Sequence, residues 1–138
     1  MTFQLDDRLR DDCHVLGRLP AGLVLLHRNA ALPWFILVPE TDVAELHQLP
    51  DALRISLVGA QDGLARFVAR RFECHKLNVA ALGNQVRQLH VHVIGRFEGD
   101  PCWPGPVWGR LPPGPAYGRA ELDDLRAGLG DAIAMVPL

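Results

Sequence analysis

Gln88-Leu89-His90-Val91-His92-Val93-Ile94-Gly95-Arg96 alternates polar residues with apolar ones before an apolar finish. In an extended strand successive side chains point to opposite faces, so Gln88, His90 and His92 share one face and Leu89, Val91 and Val93 the other. A rise of ~3.3 Å per residue sets the two imidazoles about 7 Å apart along such a strand. The apolar face belongs against a core, and the opposite face then holds two histidines side by side.

Other strand signals come earlier in the chain. Cys13 to Leu19, Gly22 to His27 and Trp34 to Val38 are separated by turn-like segments at 19–22 and 28–31 and predict an antiparallel meander. Pro39 closes the third strand, and Thr41 or Asp42 is placed to cap a short helix, with Asp42 and Glu45 at capping-box spacing. From Pro50 or Asp51 to about Phe72, Leu53, Leu57, Leu64, Phe67 and Val68 recur at helical spacing and predict a long helix. A strand from Leu77 to Leu82, a turn at Gly83-Asn84-Gln85 and the histidine strand from Val86 to Ile94 then form a hairpin. The first dozen residues, with Leu5 and Leu9, suit a short helix with one apolar edge.

After Arg96 the character changes. Residues 99–118 hold six of the eleven prolines, five glycines and two of the three tryptophans. Proline lacks the donor that a helix or a central strand requires, so this segment is expected as an extended arm that packs through Trp103, Trp108 and Tyr117. A final helix from Arg119 to Leu129, ended by Gly130, precedes an apolar tail at 132–138 that needs a partner surface. The expected architecture is one α+β domain over residues 1–138. It has about five antiparallel strands, helices on one face, a core at about 14–97 and an extension at about 98–138.

A chain of 138 residues with 49% hydrophobic content supplies one core. The formal net charge of -2 argues against an electrostatic grip on a nucleic-acid backbone. No apolar run approaches the ~18 to 20 residues needed to span a bilayer. Three widely spaced cysteines and a charged beginning point to a reduced, cytoplasmic setting.

Histidine titrates near neutrality, so a neutral imidazole is available as nucleophile, base or ligand. Two on one face can engage one phosphate group, one attacking phosphorus and the other donating to a non-bridging oxygen. Two other readings fit the bare pattern: ordinary histidines on a solvated strand face, or a zinc site. Zinc needs a third ligand, for which His75 and Cys74 are the nearest candidates. His75 otherwise reads as a helix-end histidine placed at the helix dipole.

The run from Gln88 to Ile94 resembles the signature of the histidine-triad (HIT) superfamily of nucleotide hydrolases and transferases: His, apolar, His, apolar, His, apolar, apolar. The order of meander, helices, strand, Gly-polar turn and histidine strand over residues 14–97 is similar to the family's as well. The resemblance implies an α+β HIT-like fold and attack on the α-phosphorus of a nucleotide conjugate, a phosphoramidate or a dinucleoside polyphosphate. His90 corresponds to the nucleophile that carries a nucleotidyl intermediate, and His92 to the histidine that contacts the phosphate. Asn84 and Gln85 correspond to the phosphate-binding turn. Gln88 occupies the first triad position, and Pro33-Trp34-Phe35 stands where the family has Pro-Gly-His, so the auxiliary histidine is absent.

By the same resemblance His27 and Asn29 are candidates to hold the nucleoside. Trp34 is either a core residue or a base-stacking one. The expected assembly is a homodimer, with the arm covering the dimer or the nucleotide cleft, and no metal or organic cofactor is implied. The competing expectation, favoured by the two replaced histidines, is a non-catalytic nucleotide-binding or regulatory module.

Overall fold

The computed structural model describes residues 2–138. Six strands form one antiparallel sheet: β1 (Cys13–Leu19), β2 (Gly22–His27), β3 (Trp34–Pro39), β4 (Lys76–Ala80), β5 (Val91–Arg96) and β6 (Val136–Pro137). Their spatial order is β4-β5-β3-β2-β1-β6. The expected meander is present, with Leu25 of β2 opposite Val15 of β1 and Ile36 of β3. One strand more than expected forms because the apolar tail finds its partner surface on β1, where Val136 and Pro137 pair with Arg18 and Gly17.

Three α-helices accompany the sheet among the described residues: α1 (Asp7–Asp12), α2 (Asp51–Phe72) and α3 (Arg119–Ile133). Pro50, with φ near the value its ring imposes, leads into α2, and Glu73 in a left-handed conformation ends it. α3 runs one turn beyond the expected stop at Gly130. Ile133 packs over Gly63 of α2, where an added Cβ would lie 2.9 Å from its Cγ2, and this contact continues the apolar stripe. The short helix expected near Asp42 is instead a single turn at Leu46–Gln48. Its capping pair is Glu45 with Gln48, whose Oε1 accepts from the Glu45 N–H at 3.2 Å.

Both faces of the sheet are covered, so β2 and β3 are apolar almost throughout rather than alternating. On one face Val24, Leu26, Phe35, Leu37, Val91 and Val93 pack against Leu57, Leu64 and Val68 of α2 and Leu125 and Leu129 of α3. The other face carries Leu23, Leu25, Trp34, Ile36 and Ile94. It is covered by Leu5 and Leu9 from the N-terminal segment and by Val107, Trp108 and Leu111 from the arm. Helices on a single face were expected; α1 lies on the second face together with the arm.

β4 and β5 pair antiparallel, but their connection spans residues 81–90, and Val86 to His90 lie outside the strand predicted for them. The arm is stitched to the β2–β3 turn. The Ala30 N–H donates to Pro115 O at 2.8 Å, and the Asn29 side chain donates to Pro112 O at 2.9 Å. Gly114 allows this approach, because a Cβ there would sit 2.4 Å from Asn29 Oδ1.

The root of the arm is fixed by a buried ion pair. Arg96, the last residue of β5, meets Asp100 through Nε at 2.8 Å and Nη2 at 3.0 Å, with side chains only 2% and 3% exposed. Asn78 takes a further guanidinium N–H at 2.8 Å, and Trp103 lies beneath the guanidinium at 5.7 Å rather than in the core. Burial by itself would raise the Asp100 carboxyl. The Arg96 hydrogen bond and those from the Phe97 and Cys102 amides outweigh it and hold the group at about 2.

Asp100→Asn keeps the shape but leaves a buried guanidinium charge uncompensated, so a loss of about 3–5 kcal/mol is expected in urea unfolding near neutral pH. The contribution of the native carboxylate is complete above its ordinary value of 3.8 and disappears as pH falls through about 2. The variant should lack this part of the acid dependence. A loss below about 1 kcal/mol would contradict the account.

Candidate functional site

The main chain just before β5 brings His90 into place, and β5 itself places His92. Leu89, Val91 and Val93 anchor this stretch in the helix-covered core, which turns the two imidazoles to the opposite face. Both histidines are buried, at 5% and 6% exposure, and their ring centroids are 4.9 Å apart with planes at 74°.

Each ring is held by one hydrogen bond, and the two bonds have opposite sense. His90 Nδ1 lies 2.6 Å from the main-chain oxygen of Gln88. A carbonyl only accepts, so His90 carries its proton at Nδ1 and, when neutral, presents a lone pair at Nε2. His92 Nδ1 accepts from the Trp34 indole N–H at 2.9 Å. An indole only donates, so the His92 lone pair is at Nδ1 and its proton at Nε2. Burial, with His90 and His27 nearby, lowers the His92 pKa to about 3, so this ring stays neutral across the physiological range.

Trp34 reaches His92 because β3 and β5 are paired with Ile36 opposite His92, which makes Trp34 the diagonal neighbour across the strands. Its other contacts are His27, stacked at 4.5 Å and 16°, and Trp108, edge-on at 6.1 Å. Trp34 is buried as a core residue is, yet it also orients a candidate site histidine. The residue type alone does not show this second role; the cross-strand register does.

The two histidines line a cavity of about 390 Å3. The turn at Gly83, Asn84 and Gln85 forms one wall, with Gly83 at φ +71 shaping it. Leu9 and Asp12 of α1 and Cys13 of β1 form another, and Trp108 and Gly109 of the arm a third. The arm therefore closes the cleft of its own chain. Trp108 packs its ring 5.2 Å from His92, and its buried Nε1–H has no hydrogen-bond partner among the described residues. The arm was expected to pack through Trp103, Trp108 and Tyr117, and it is Trp108 that comes to lie beside the histidines.

His27 also lines the cavity; its Nδ1 accepts from the Asn29 N–H at 3.1 Å, and burial lowers its pKa. The Asn29 side chain donates to Pro112 O of the arm and accepts from the Ala31 N–H in its own turn, and it is not among the residues that line the cavity. Gln88 is placed differently from the expected triad face as well, since its side chain bonds Gln4 and Asp6 while only its main-chain oxygen meets His90.

Burial, followed by the Asp12 charge, raises Cys13 to about 12, which makes it an inert wall thiol. His75 and Cys74, the candidates for a third metal ligand, lie beside Arg96 and Gly95 at the far end of β5. His75 Nδ1 accepts from the Glu98 N–H at 2.9 Å instead of engaging a helix end. Among the described residues no group of three or more His, Cys, Asp or Glu is arranged to hold a metal ion.

The HIT domain profile matches residues 8–99. The chain belongs to the HIT domain family. Histidine-triad proteins of known structure extend the likeness to nearly the full length. One from Sinorhizobium meliloti 1021 is 38% identical with a TM-score of 0.88, covering 96% of this chain and 98% of its own. A second from Bradyrhizobium japonicum is 38% identical with a TM-score of 0.88 and covers 95% and 98%. A third from Marinobacter aquaeolei VT8 is 41% identical with a TM-score of 0.88 and covers 96% of both chains. No curated protein matches the chain. The likeness to these HIT proteins includes the arm and α3, which lie beyond the segment that the domain profile matches.

Trp34→Phe keeps an aromatic ring in place and removes the indole donor to His92 Nδ1. Affinity for a nucleoside monophosphate, read by titration calorimetry, should fall about tenfold, the worth of one hydrogen bond at the upper end of the usual range. Unchanged affinity would contradict an orienting role for the indole.

Proposed function

We propose that this HIT protein cleaves or transfers at the α-phosphorus of a nucleotide conjugate through a covalent adduct on His90. The observation that carries the proposal is the pair of opposed tautomers. Two adjacent imidazoles offer one cleft a lone pair at His90 Nε2 and a proton at His92 Nε2. A nucleophile beside a neutral donor suits an electrophilic phosphorus whose non-bridging oxygen gains charge as the new bond forms.

In the first step His90 Nε2 bonds to phosphorus and the leaving group departs with the electrons of its bond. His92 donates to one non-bridging oxygen, and Asn84 and Gln85, on the cavity wall, supply amide donors to the other. In the second step water adds to phosphorus and gives up a proton to solvent, the P–N bond breaks with its electrons returning to Nε2, and neutral imidazole is regenerated. A second acceptor in place of water gives transfer. Asn84 and Gln85 carry no hydroxyl to protonate a leaving group, so one that leaves as an anion, such as a phosphate chain, needs least help from this site.

The remaining wall suits a nucleoside: Leu9, Ile36, Trp108 and the stacked pair of His27 and Trp34 make it largely apolar, with few polar groups. The protein is further proposed to act as a homodimer. β4 leaves one edge of the sheet unpaired, with Val79 42% exposed, and a second copy adding there would continue the sheet.

Native mass spectrometry after brief exposure to an adenosine phosphoramidate or a dinucleoside polyphosphate tests both proposals together. A dimer carrying a nucleotidyl adduct, absent in His90→Ala, is expected. Tight nucleotide binding with neither adduct nor turnover would establish the non-catalytic module instead, and a monomer would contradict the assembly.

A further inference from the structure

We propose that Gln88 is a positioning residue whose side-chain amide clasps the N-terminal segment onto the cleft, while its main chain alone orients His90. For the occupant of the cleft this rests on the nucleotide assignment above. The side chain makes two hydrogen bonds to the main chain across more than eighty residues of sequence. Its Oε1 accepts from the Asp6 N–H at 2.8 Å, and its Nε2 donates to Gln4 O at 2.9 Å. These bonds hold the entry to α1, where Asp6 also caps the helix by accepting from the Arg8 N–H at 2.8 Å.

What hangs from the clasp is part of the site. α1 has only six residues, too few to persist without tertiary support. That support comes from Leu5 and Leu9, 4% and 5% exposed, from Arg28, which bonds Asp11 O and Asp12 O, and from Gln88. Leu9 and Asp12 then form the cavity wall beside the histidines. A primary amide offers donor and acceptor on one carbon, which matches a main-chain oxygen and a main-chain N–H two residues apart. Neutral imidazole carries its donor and acceptor on separate ring atoms facing different directions, and it cannot close both bonds.

The His90 contact does not depend on the side chain at position 88, because the atom involved is the main-chain oxygen. Glutamine at the first triad position therefore leaves the nucleophile's orientation intact and adds a fastening that histidine would lack. Restoring histidine should impair the protein.

Gln88→His and Gln88→Glu test this in the full chain. Amide hydrogen exchange is read at residues 5–12, with β5 as the internal control for folding, and kcat and KM are read on the nucleotide substrate, with AMP affinity alongside. For Gln88→His, exchange at 5–12 should rise about tenfold with β5 unchanged, and KM and the AMP Kd should rise about tenfold with kcat within about threefold. Gln88→Glu keeps the acceptor for Asp6 and loses the donor to Gln4, so it should fall between wild type and Gln88→His. A higher kcat in Gln88→His, or unaltered exchange at 5–12, would overturn the proposal. Were the wild type to bind no nucleotide, the functional assignment would fall, and hydrogen exchange would still decide the clasp.

Discussion

Two hydrogen bonds of opposite sense set the character of this site. A main-chain oxygen takes the proton side of His90 Nδ1, and an indole N–H takes the lone-pair side of His92 Nδ1. Identical side chains 4.9 Å apart thereby become a candidate nucleophile and a candidate donor. Neither partner titrates in the physiological range, so neither bond depends on protonation of its holder. Exchange either partner for a group of the other kind and the two imidazoles would both present a lone pair, or both a proton, at Nε2.

Much of the fold serves to keep those two bonds in register. The pairing of β3 with β5 places Trp34 diagonally across from His92, and the apolar residues Leu89, Val91 and Val93 hold the histidine segment against α2. On the other face the sheet is not left to solvent, since the N-terminal segment and the arm close over it. The arm is irregular in conformation but firmly attached, by the buried Arg96–Asp100 pair at its root and by the Asn29 and Ala30 contacts further on. Its Trp108 completes the cavity wall. A segment that the domain profile does not match thus belongs to the candidate site, in keeping with its coverage by the rhizobial and Marinobacter HIT structures.

The parts of this arrangement that could be read from sequence are those governed by local periodicity. The meander, the span of α2 and the opposition of His90 and His92 to Leu89, Val91 and Val93 follow from apolar spacing and stand where that spacing put them, whereas Gln88, ahead of β5, leaves the expected face. What periodicity cannot reach are contacts between residues distant in the chain. Trp34 and His92 are 58 positions apart, and Gln88 and Gln4 are 84 apart, so neither bond leaves a local trace. Asn29 was a nucleoside candidate by family resemblance, and in the fold its amide is taken up by the arm, whose course composition does not specify. The stop expected at Gly130 was a local signal overruled by the packing of Ile133 on α2.

The most direct test of this account is the protonation of the two rings themselves. In protein labelled with 15N at histidine, the ring-nitrogen shifts and their one-bond proton couplings at neutral pH assign each tautomer. The account predicts a protonated Nδ1 with a bare Nε2 for His90, and a bare Nδ1 with a protonated Nε2 for His92, which remains neutral down to mildly acidic pH. The same tautomer on both rings, or an imidazolium at His92 near neutrality, would contradict it.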